Sequence, residues 1–374
     1  GLVCMGLLLV LSSCSCHTGK QITASGLQRK DFQTEVNGQH TDLFTLSNKQ
    51  GMEVCITNYG ARVVSILVPD RNGKREDVVC GFSTITEYME QRQNFGSTVG
   101  RYIGRILNAR FTLDGVEYKL VPNNGKSGHI SHGGNPGFAD RIWKVEQADT
   151  HRVRLSYLSP DGENGFPGNL KVTLVYSLGE DDNALDLTYE ATTDAPTVLN
   201  LSHHSFFNIS GNFTKSVEDQ QLWVDADRFT PYDDKKCVTG EYLPVAGTPL
   251  DFRMPHTIGE CIDADHPQLK VVNGYDHTWE LNTKGDDTRP AAWVYDPASG
   301  RKMEIFTTEP GMQIYTGNGL KGKMTGKGGI AYPFRSAVCF ETMHFQDSPN
   351  QPGFPSTVLR PGEVFRSHTV YKFE

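Results

Sequence analysis

Three consecutive segments alternate apolar and polar residues with a period of two. In HRVRLSYLS, Val153, Leu155 and Tyr157 alternate with Arg152, Arg154 and Ser156. In KVTLVYSL, Val172, Leu174, Tyr176 and Leu178 alternate with Lys171, Thr173 and Ser177. In ALDLTYEAT, Leu185, Leu187 and Tyr189 alternate with Asp186, Thr188 and Glu190. Successive side chains switch sides on a strand, so this period gives each strand one apolar face. The last two segments are joined by GEDDN (Gly179 to Asn183), a polar turn whose residues tolerate left-handed geometry. Such strands in series predict antiparallel pairing with one buried face. Helical signals are few. STITEYMEQ (Ser83 to Gln91) offers a short helix with Thr84 and Glu87 as a capping box. Nothing alternates strand with helix, which argues against a parallel sheet. With 38 glycines and 19 prolines to punctuate its strands, the chain is predicted to be all-β, a large antiparallel β-sandwich with few short helices.

The N-terminus follows a different pattern. Leu2 to Leu11 is almost wholly apolar and is followed by LSSC. It is too short to span a bilayer as a permanent helix and reads as the apolar core of a secretory signal. Small residues before a cysteine resemble the lipobox of bacterial lipoproteins, with Cys14 as the lipidated residue. The expectation is a leader over residues 1–20, a linker to about 34, and one β-sandwich catalytic domain over 35–374. It carries with it export to the periplasm or cell envelope as a lipoprotein. A formal net charge of −8 offers no attraction for nucleic acid phosphates, and no basic run suggests a membrane surface. Membrane contact is expected through the lipid anchor alone. Of the eight cysteines, Cys4, Cys14 and Cys16 lie in the leader. Cys55, Cys80, Cys237, Cys261 and Cys339 are dispersed without a CxxC pair, which fits neither a disulfide framework nor a zinc site. Cys55, Cys80 and Cys339 sit in apolar runs and read as small core residues.

Five stretches set polar, titratable residues among glycines and aromatics. The first, Asn94 to Gly115, carries Arg101, Arg105 and Arg110, and solvated arginines on a turn-rich hairpin are the plain alternative. The second, HISHGGNPGF, holds His129 and His132. They lack a third metal ligand at suitable spacing, and His132 before paired glycines suits hydrogen bonding to a ligand. In LNLSHHSFFNISG, His203 and His204 are adjacent, so on a strand only one can face a shared site. In NGYDHTWEL, Asp276 lies among Tyr275, His277 and Trp279, a set that suits sugar hydroxyls and sugar C–H faces. The last is FETMHFQDSPNQPGFPSTVLRPGE, which puts Glu341 at the end of a strand over Ser336 to Phe340 and follows it with four prolines. TEPGMQIYTGN precedes it with Gln313 and Tyr315. Histidine and glutamate together suit acid–base chemistry on a polar, neutral molecule. The chain has no GxSxG elbow, phosphate-cradling loop or Rossmann fingerprint.

The order of these motifs resembles the aldose 1-epimerases (galactose mutarotases). TNYGARVVSILVPDRNGKREDVVCGF, GRYIGRI, HGG, SPDGENGFPGNL, NLSHHSFFNISG, GYDH, PGMQIYTGN and the Glu341 stretch occur in that family's sequence, over roughly residues 35 to 374. The resemblance implies a β-sandwich of the galactose mutarotase type that interconverts α and β anomers of hexoses such as galactose and glucose. It also implies Glu341 as general base and His204 as general acid. His132 matches a second active-site histidine, Arg105 an arginine that contacts the sugar, Asp276 an aspartate that grips its hydroxyls, and Gln313 a glutamine lining the site. Gly104 stands where many members have Asn, and His129 also falls where many have Asn. The implied chemistry needs neither cofactor nor metal, and its partner is a small aldose.

On this reading the base must be ionised and the acid protonated at working pH. Arg105 and His132 would stabilise charge on the ring oxygen or the C1 oxygen. The prolines after Glu341, with pre-set backbone angles, would hold the base and wall the sugar site. Two other readings stay open. A glycoside hydrolase would need two carboxylates at a set separation, here Glu341 and Asp276. A non-catalytic sugar-binding surface protein would keep Asp276 and the aromatics without needing Glu341 beside His204.

Overall fold

The computed structural model describes residues 20–374. Cys14 and the leader expected around it lie outside the described residues.

The three alternating segments pair as neighbours. Arg152–Ser159, Leu170–Leu178 and Ala184–Thr193 run antiparallel in sequence order, with Val153, Leu155, Val172, Leu174, Leu185 and Leu187 buried. They belong to a nine-stranded sheet. It begins with Lys144–Ala148, continues through these three and Phe365–Phe373, and ends with Lys302–Thr307, Ala292–Tyr295, Gln221–Val224 and His256–Thr257. The C-terminal strand therefore lies mid-sheet, hydrogen-bonded to Ala184–Thr193 on one side and Lys302–Thr307 on the other.

A six-stranded sheet packs against it, in the order Phe206–Phe207, Val338–Met343, Gly311–Tyr315, Asp276–Glu280, Arg228–Thr230 and Leu243–Pro244. Its inward residues Trp279, Met312, Ile314 and Phe340 share one hydrophobic cluster with Leu187, Ile305 and Tyr371 of the large sheet. The Tyr371 hydroxyl donates to the Phe340 carbonyl at 2.9 Å. A third, four-stranded sheet (Leu43–Ser47, Glu53–Thr57, Arg62–Pro69, Arg75–Asp77) adds Val54, Ile56, Val63 and Ile66 to the same cluster. This is the antiparallel β-sandwich that the alternation predicts.

Among the described residues there are two α-helices, Ile85–Gln91 and Pro267–Val272. The first opens on the capping box read from the sequence. Glu87 N donates to Thr84 Oγ1 at 3.2 Å, and Thr84 N donates to the Glu87 carboxylate at 3.0 Å. Cys55, Cys80 and Cys339 are buried and free. Residues before 35 pack on the body: Leu27 and Phe32 are buried, and Lys20 pairs with Glu53 at 3.0 Å.

One boundary differs from the sequence reading in a way that matters. The strand over Ser336 to Phe340 is in fact Val338–Met343, and it carries Glu341 in its interior rather than at its end. It runs on because Thr342, on the inward side, bonds Thr369 of the large sheet at 2.7 Å between hydroxyls.

Candidate active site

The parity of three neighbouring strands builds the floor of a cavity of about 590 Å³. Facing the large sheet are His277, Ile314 and Phe340 in one row and Trp279, Met312 and Thr342 in the next. The residues between them must point the other way. Thr278, Gln313 and Glu341 therefore stand in a cross-strand row, beside a second row of Asp276, Tyr315, Cys339 and Phe206. The sheet's outer face thus concentrates carboxylates and an amide, because its inner face takes the apolar alternates.

His204 comes from a short ribbon, Ser202–His204 paired with Ser97–Val99. Its ring stacks on Phe206 at 5.1 Å between centroids, and its Nε2 lies 3.3 Å from Glu341 Oε1. Both residues are almost fully buried, 5% and 3% exposed. His203 points to the opposite side, as adjacent strand residues must. Its Nε2 contacts Ser205 Oγ at 2.6 Å and its Nδ1 contacts the Tyr176 hydroxyl at 3.4 Å. Burial holds its pKa down at about 3, so it is a neutral structural group.

The other four residues singled out in the sequence also line this cavity: Arg105, His132, Asp276 and Gln313. Gln313 Nε2 donates to Asp276 Oδ1 at 2.7 Å, and Gln313 Oε1 accepts from Thr278 Oγ1. His132 stands edge-on to His204 with centroids 5.4 Å apart. Its Nδ1 accepts from Gly104 N at 3.3 Å, which leaves the ring proton on Nε2. Gly133 follows because a Cβ there would come within 2.1 Å of the Gly100 carbonyl oxygen. Arg105, half-buried, donates through Nη1 to the Lys236 carbonyl at 2.5 Å.

The environment shifts every titratable group in the cavity floor. Burial pushes Glu341 well above the usual carboxylate range, and Asp276 adds to the push. Burial pulls His204 well below the usual imidazole range, reinforced by His132. Contact between the two works against both trends, since each charged form favours the other. His132 is lowered to about 4 by burial and then by Arg105. Desolvation raises Asp276, opposed by the bond from Gln313.

A model of the family "Aldose 1-epimerase" matches residues 42–372. The chain belongs to the aldose 1-epimerase family. It is 39% identical to the galactose mutarotase of Sus scrofa over 330 residues, covering 88% of this chain and 93% of that protein. It is 36% identical to the aldose 1-epimerase of Escherichia coli (strain K12) over 339 residues, covering 90% of this chain and 96% of that one. The crystal structure of an aldose epimerase homologue from C. elegans matches with a TM-score of 0.82 at 31% identity, covering 89% of this chain and 99% of that one. These similarities lend no support to the hydrolase or to the non-catalytic sugar binder.

Two departures from the family pattern now have a local account. Gly104 has φ +78°, and a Cβ there would come within 2.6 Å of Gln346 Cγ, so the Gln346 side chain occupies the space beside it. His129 does not join His132 in a metal site. Its Nδ1 accepts from Asn108 N at 2.9 Å and its Nε2 contacts Cys237 Sγ at 3.3 Å. Arg101, for which a solvated place on a hairpin was the plain alternative, is 2% exposed. It donates to the Pro167 carbonyl and Ser159 Oγ, at 2.7 Å each.

The segment after Glu341 also works differently from the expectation. Among the described residues, Met343 and Gln346 line the cavity and the four prolines do not. Gln346 Oε1 accepts from Arg105 N at 3.2 Å, and Gln346 Nε2 donates to the Tyr232 hydroxyl at 2.8 Å. Asp347 N donates to the Arg105 carbonyl at 2.8 Å, and Asp347 Oδ1 accepts from Leu107 N at 2.9 Å. The segment thus fixes the arginine loop, while the sheet itself fixes Glu341. Tyr232 and Gln346 were missed by the sequence reading. Gln346 sits inside the quoted motif, but Tyr232 follows a short strand into a turn, where no alternation marks it.

Proposed function

We propose that this protein is an aldose 1-epimerase, with Glu341 as general base and His204 as general acid. The observation that carries the reading is the 3.3 Å approach of His204 Nε2 to Glu341 Oε1 on the floor of a cavity lined by Arg105, His132, Asp276 and Gln313. Glu341 takes the proton of the C1 hydroxyl as the C1–O5 bond breaks. His204 delivers its proton to O5, and the open-chain aldehyde turns about C1–C2. Closure on the other face returns both protons. Asp276, held by Gln313, accepts from sugar hydroxyls. Neutral His132 with its proton on Nε2, together with Arg105, donates to oxygen carrying developing charge. Because the reaction moves protons and no electrons, acid, base and donors suffice for each step written here.

Polarimetry on fresh α-D-galactose or α-D-glucose is the test. The protein accelerates mutarotation over buffer, and Glu341→Gln or His204→Asn removes most of the acceleration. No acceleration with galactose, glucose, xylose, arabinose or maltose would sink the enzyme reading. The same proposal takes residues 35–374 as one catalytic domain, supported by the hydrophobic cluster that draws on all three sheets. It also takes the chain to be exported as a lipoprotein through Cys14, supported by the apolar leader and LSSC alone. Cys14→Ala then releases the protein from membranes, and unchanged membrane association argues against lipidation there.

A further inference from the structure

Cys339 precedes Glu341 by two residues and shares its face of the Val338–Met343 strand. Its thiol therefore stands beside the acid–base pair, although Cys339 is not among the cavity-lining residues. His204, Cys339 and Glu341 offer a nitrogen, a sulfur and a carboxylate oxygen, all within 4.8 Å of one another. Among the described residues they are the one group of three such side chains gathered this closely.

The donor spacing approaches that of a tetrahedral metal centre. With metal–ligand bonds of about 2.0–2.3 Å, neighbouring donor atoms stand roughly 3.3–3.6 Å apart. His204 Nε2 and Glu341 Oε1 are already at 3.3 Å. The sulfur lies at most 4.8 Å from either atom, so to reach this spacing it has to close by at most about 1.5 Å. Charge balances too: a divalent cation with one thiolate, one carboxylate and a neutral imidazole is a neutral unit, which suits a desolvated position. The thiol proton and the proton shared by Glu341 and His204 leave to solvent on binding. His204 and Glu341 line the cavity, the side from which a fourth ligand, water or substrate, would come. A sulfur ligand selects zinc or cobalt over magnesium or calcium. The Cys237–His129 contact is the rival pair, but among the described residues no third ligand joins it.

We propose that His204, Cys339 and Glu341 form an inhibitory site for a thiophilic divalent cation such as Zn²⁺, which occupies the acid–base pair and competes with the sugar. The inhibitory part rests on the assignment of Glu341 and His204 above. The binding part stands on the donor set itself.

The test uses the full chain, its Cys339→Ala and Cys237→Ala variants, Zn²⁺ in the mutarotation assay, and Co²⁺ as a spectroscopic probe. Zn²⁺ is expected to raise the apparent KM for α-D-galactose at least tenfold, and a chelator reverses the effect. Cys339→Ala keeps its mutarotation and loses the inhibition, while Cys237→Ala retains it. Co²⁺ gives a thiolate-to-metal charge-transfer band that Cys339→Ala removes and saturating galactose displaces. Equal inhibition in Cys339→Ala, loss of inhibition in Cys237→Ala instead, or a zinc effect independent of sugar concentration overturns the proposal. If Cys339→Ala does not fold, displacement of the cobalt band by galactose in the unmodified protein decides. A protein that binds Co²⁺ through Cys339 but never accelerates mutarotation would refute the proposed function and leave the metal site standing.

Discussion

Gly104→Ala is the substitution whose consequences the structure specifies most fully. At φ +78° a side chain with a Cβ is strained, at a cost of about 1–2 kcal/mol for a non-glycine residue. The new Cβ would come within 2.6 Å of Gln346 Cγ, so Gln346 has to move. That side chain holds Arg105 N through Oε1 and the Tyr232 hydroxyl through Nε2, each bond worth a net of about 1 kcal/mol. Strain plus the weakening of one or both bonds gives a loss of about 2–4 kcal/mol in unfolding free energy. For a chain of this size that is a fall of about 3–5 °C in Tm. Activity should fall further than stability suggests. Gly104 leads directly into Arg105 and through its own N–H anchors His132 Nδ1, and a shift of ~1 Å in positioning groups costs up to ~100-fold.

The expected result is a kcat/KM at least tenfold lower, mostly through KM, by polarimetry on α-D-galactose with thermal melts alongside. Combining Gly104→Ala with Gln346→Ala removes the clash, so the double variant should be less damaged than the sum of the singles, by about 1–2 kcal/mol. Gly104→Asn should fall between the native protein and Gly104→Ala, because Asn tolerates the left-handed region but still places a Cβ against Gln346. A Gly104→Ala protein with native Tm and KM, or strictly additive singles, would refute the reasoning.

Two further outcomes concern pH. Activity should follow a broad bell whose limbs belong to the Glu341–His204 pair: the acid limb lies below pH 6.5 because His204 is pulled down, and the alkaline limb well above pH 4.5 because Glu341 is pushed up. A single step near 6.5, as for a free imidazole, would contradict this. Protonated His368 donates from Nε2 to Asp186 Oδ2 and from Nδ1 to Asp287 Oδ2, each at 2.6 Å, and chiefly the Asp186 bond, with Asp287 and the two charges, raises its pKa from 6.5 to about 9. A raised folded-state pKa stabilises fully below the unfolded value, so the advantage in urea midpoint over His368→Gln should be whole below pH 6.5 and fade as pH rises through 9. An advantage that grows across that range would rule out the charged pairing.

What the sequence revealed follows the length scale of each signal. The alternation at Val153–Tyr157, Val172–Leu178 and Leu185–Tyr189 is local and survived intact, because each strand buries one face whatever its partners are. The capping box at Thr84 and Glu87 is complete within four residues and also survived. His203 and His204 were separable in principle, since only one could face a site, but which one did depends on Phe206 and the neighbouring strand. The burial of Arg101 had no local signal because its acceptors, the Pro167 and Ser159 groups, arrive from a distant hairpin. Gln346 and Tyr232 were invisible for the same reason: their roles consist of bonds to Arg105 N and to each other, which no spacing encodes. The strand was read as ending at Phe340, three residues short of Met343, because the bond from Thr342 to Thr369 that continues its inward side joins residues far apart in the sequence.

The burial that raises Glu341 and lowers His204 opposes the ionised base and protonated acid with which ring opening starts. Counting protons removes the conflict. Carboxylate with imidazolium, and carboxylic acid with imidazole, each hold one proton, and ring opening carries the pair from the first arrangement to the second. Burial therefore favours the arrangement that accompanies the open-chain aldehyde, the least stable sugar species on the path. Where the closed sugar is bound with the pair ionic, stabilising the other arrangement lowers the barriers on both sides of the aldehyde, because the gain is then made only as the ring opens. The 3.3 Å contact between His204 Nε2 and Glu341 Oε1 keeps the ionic arrangement within reach, since attraction at that distance offsets part of the desolvation. A site with a firmly ionised glutamate would bind the closed sugar ready to react but would have to raise the energy of its own pair at the moment the ring opens. This cavity instead places the cost in the resting complex and recovers it at the aldehyde.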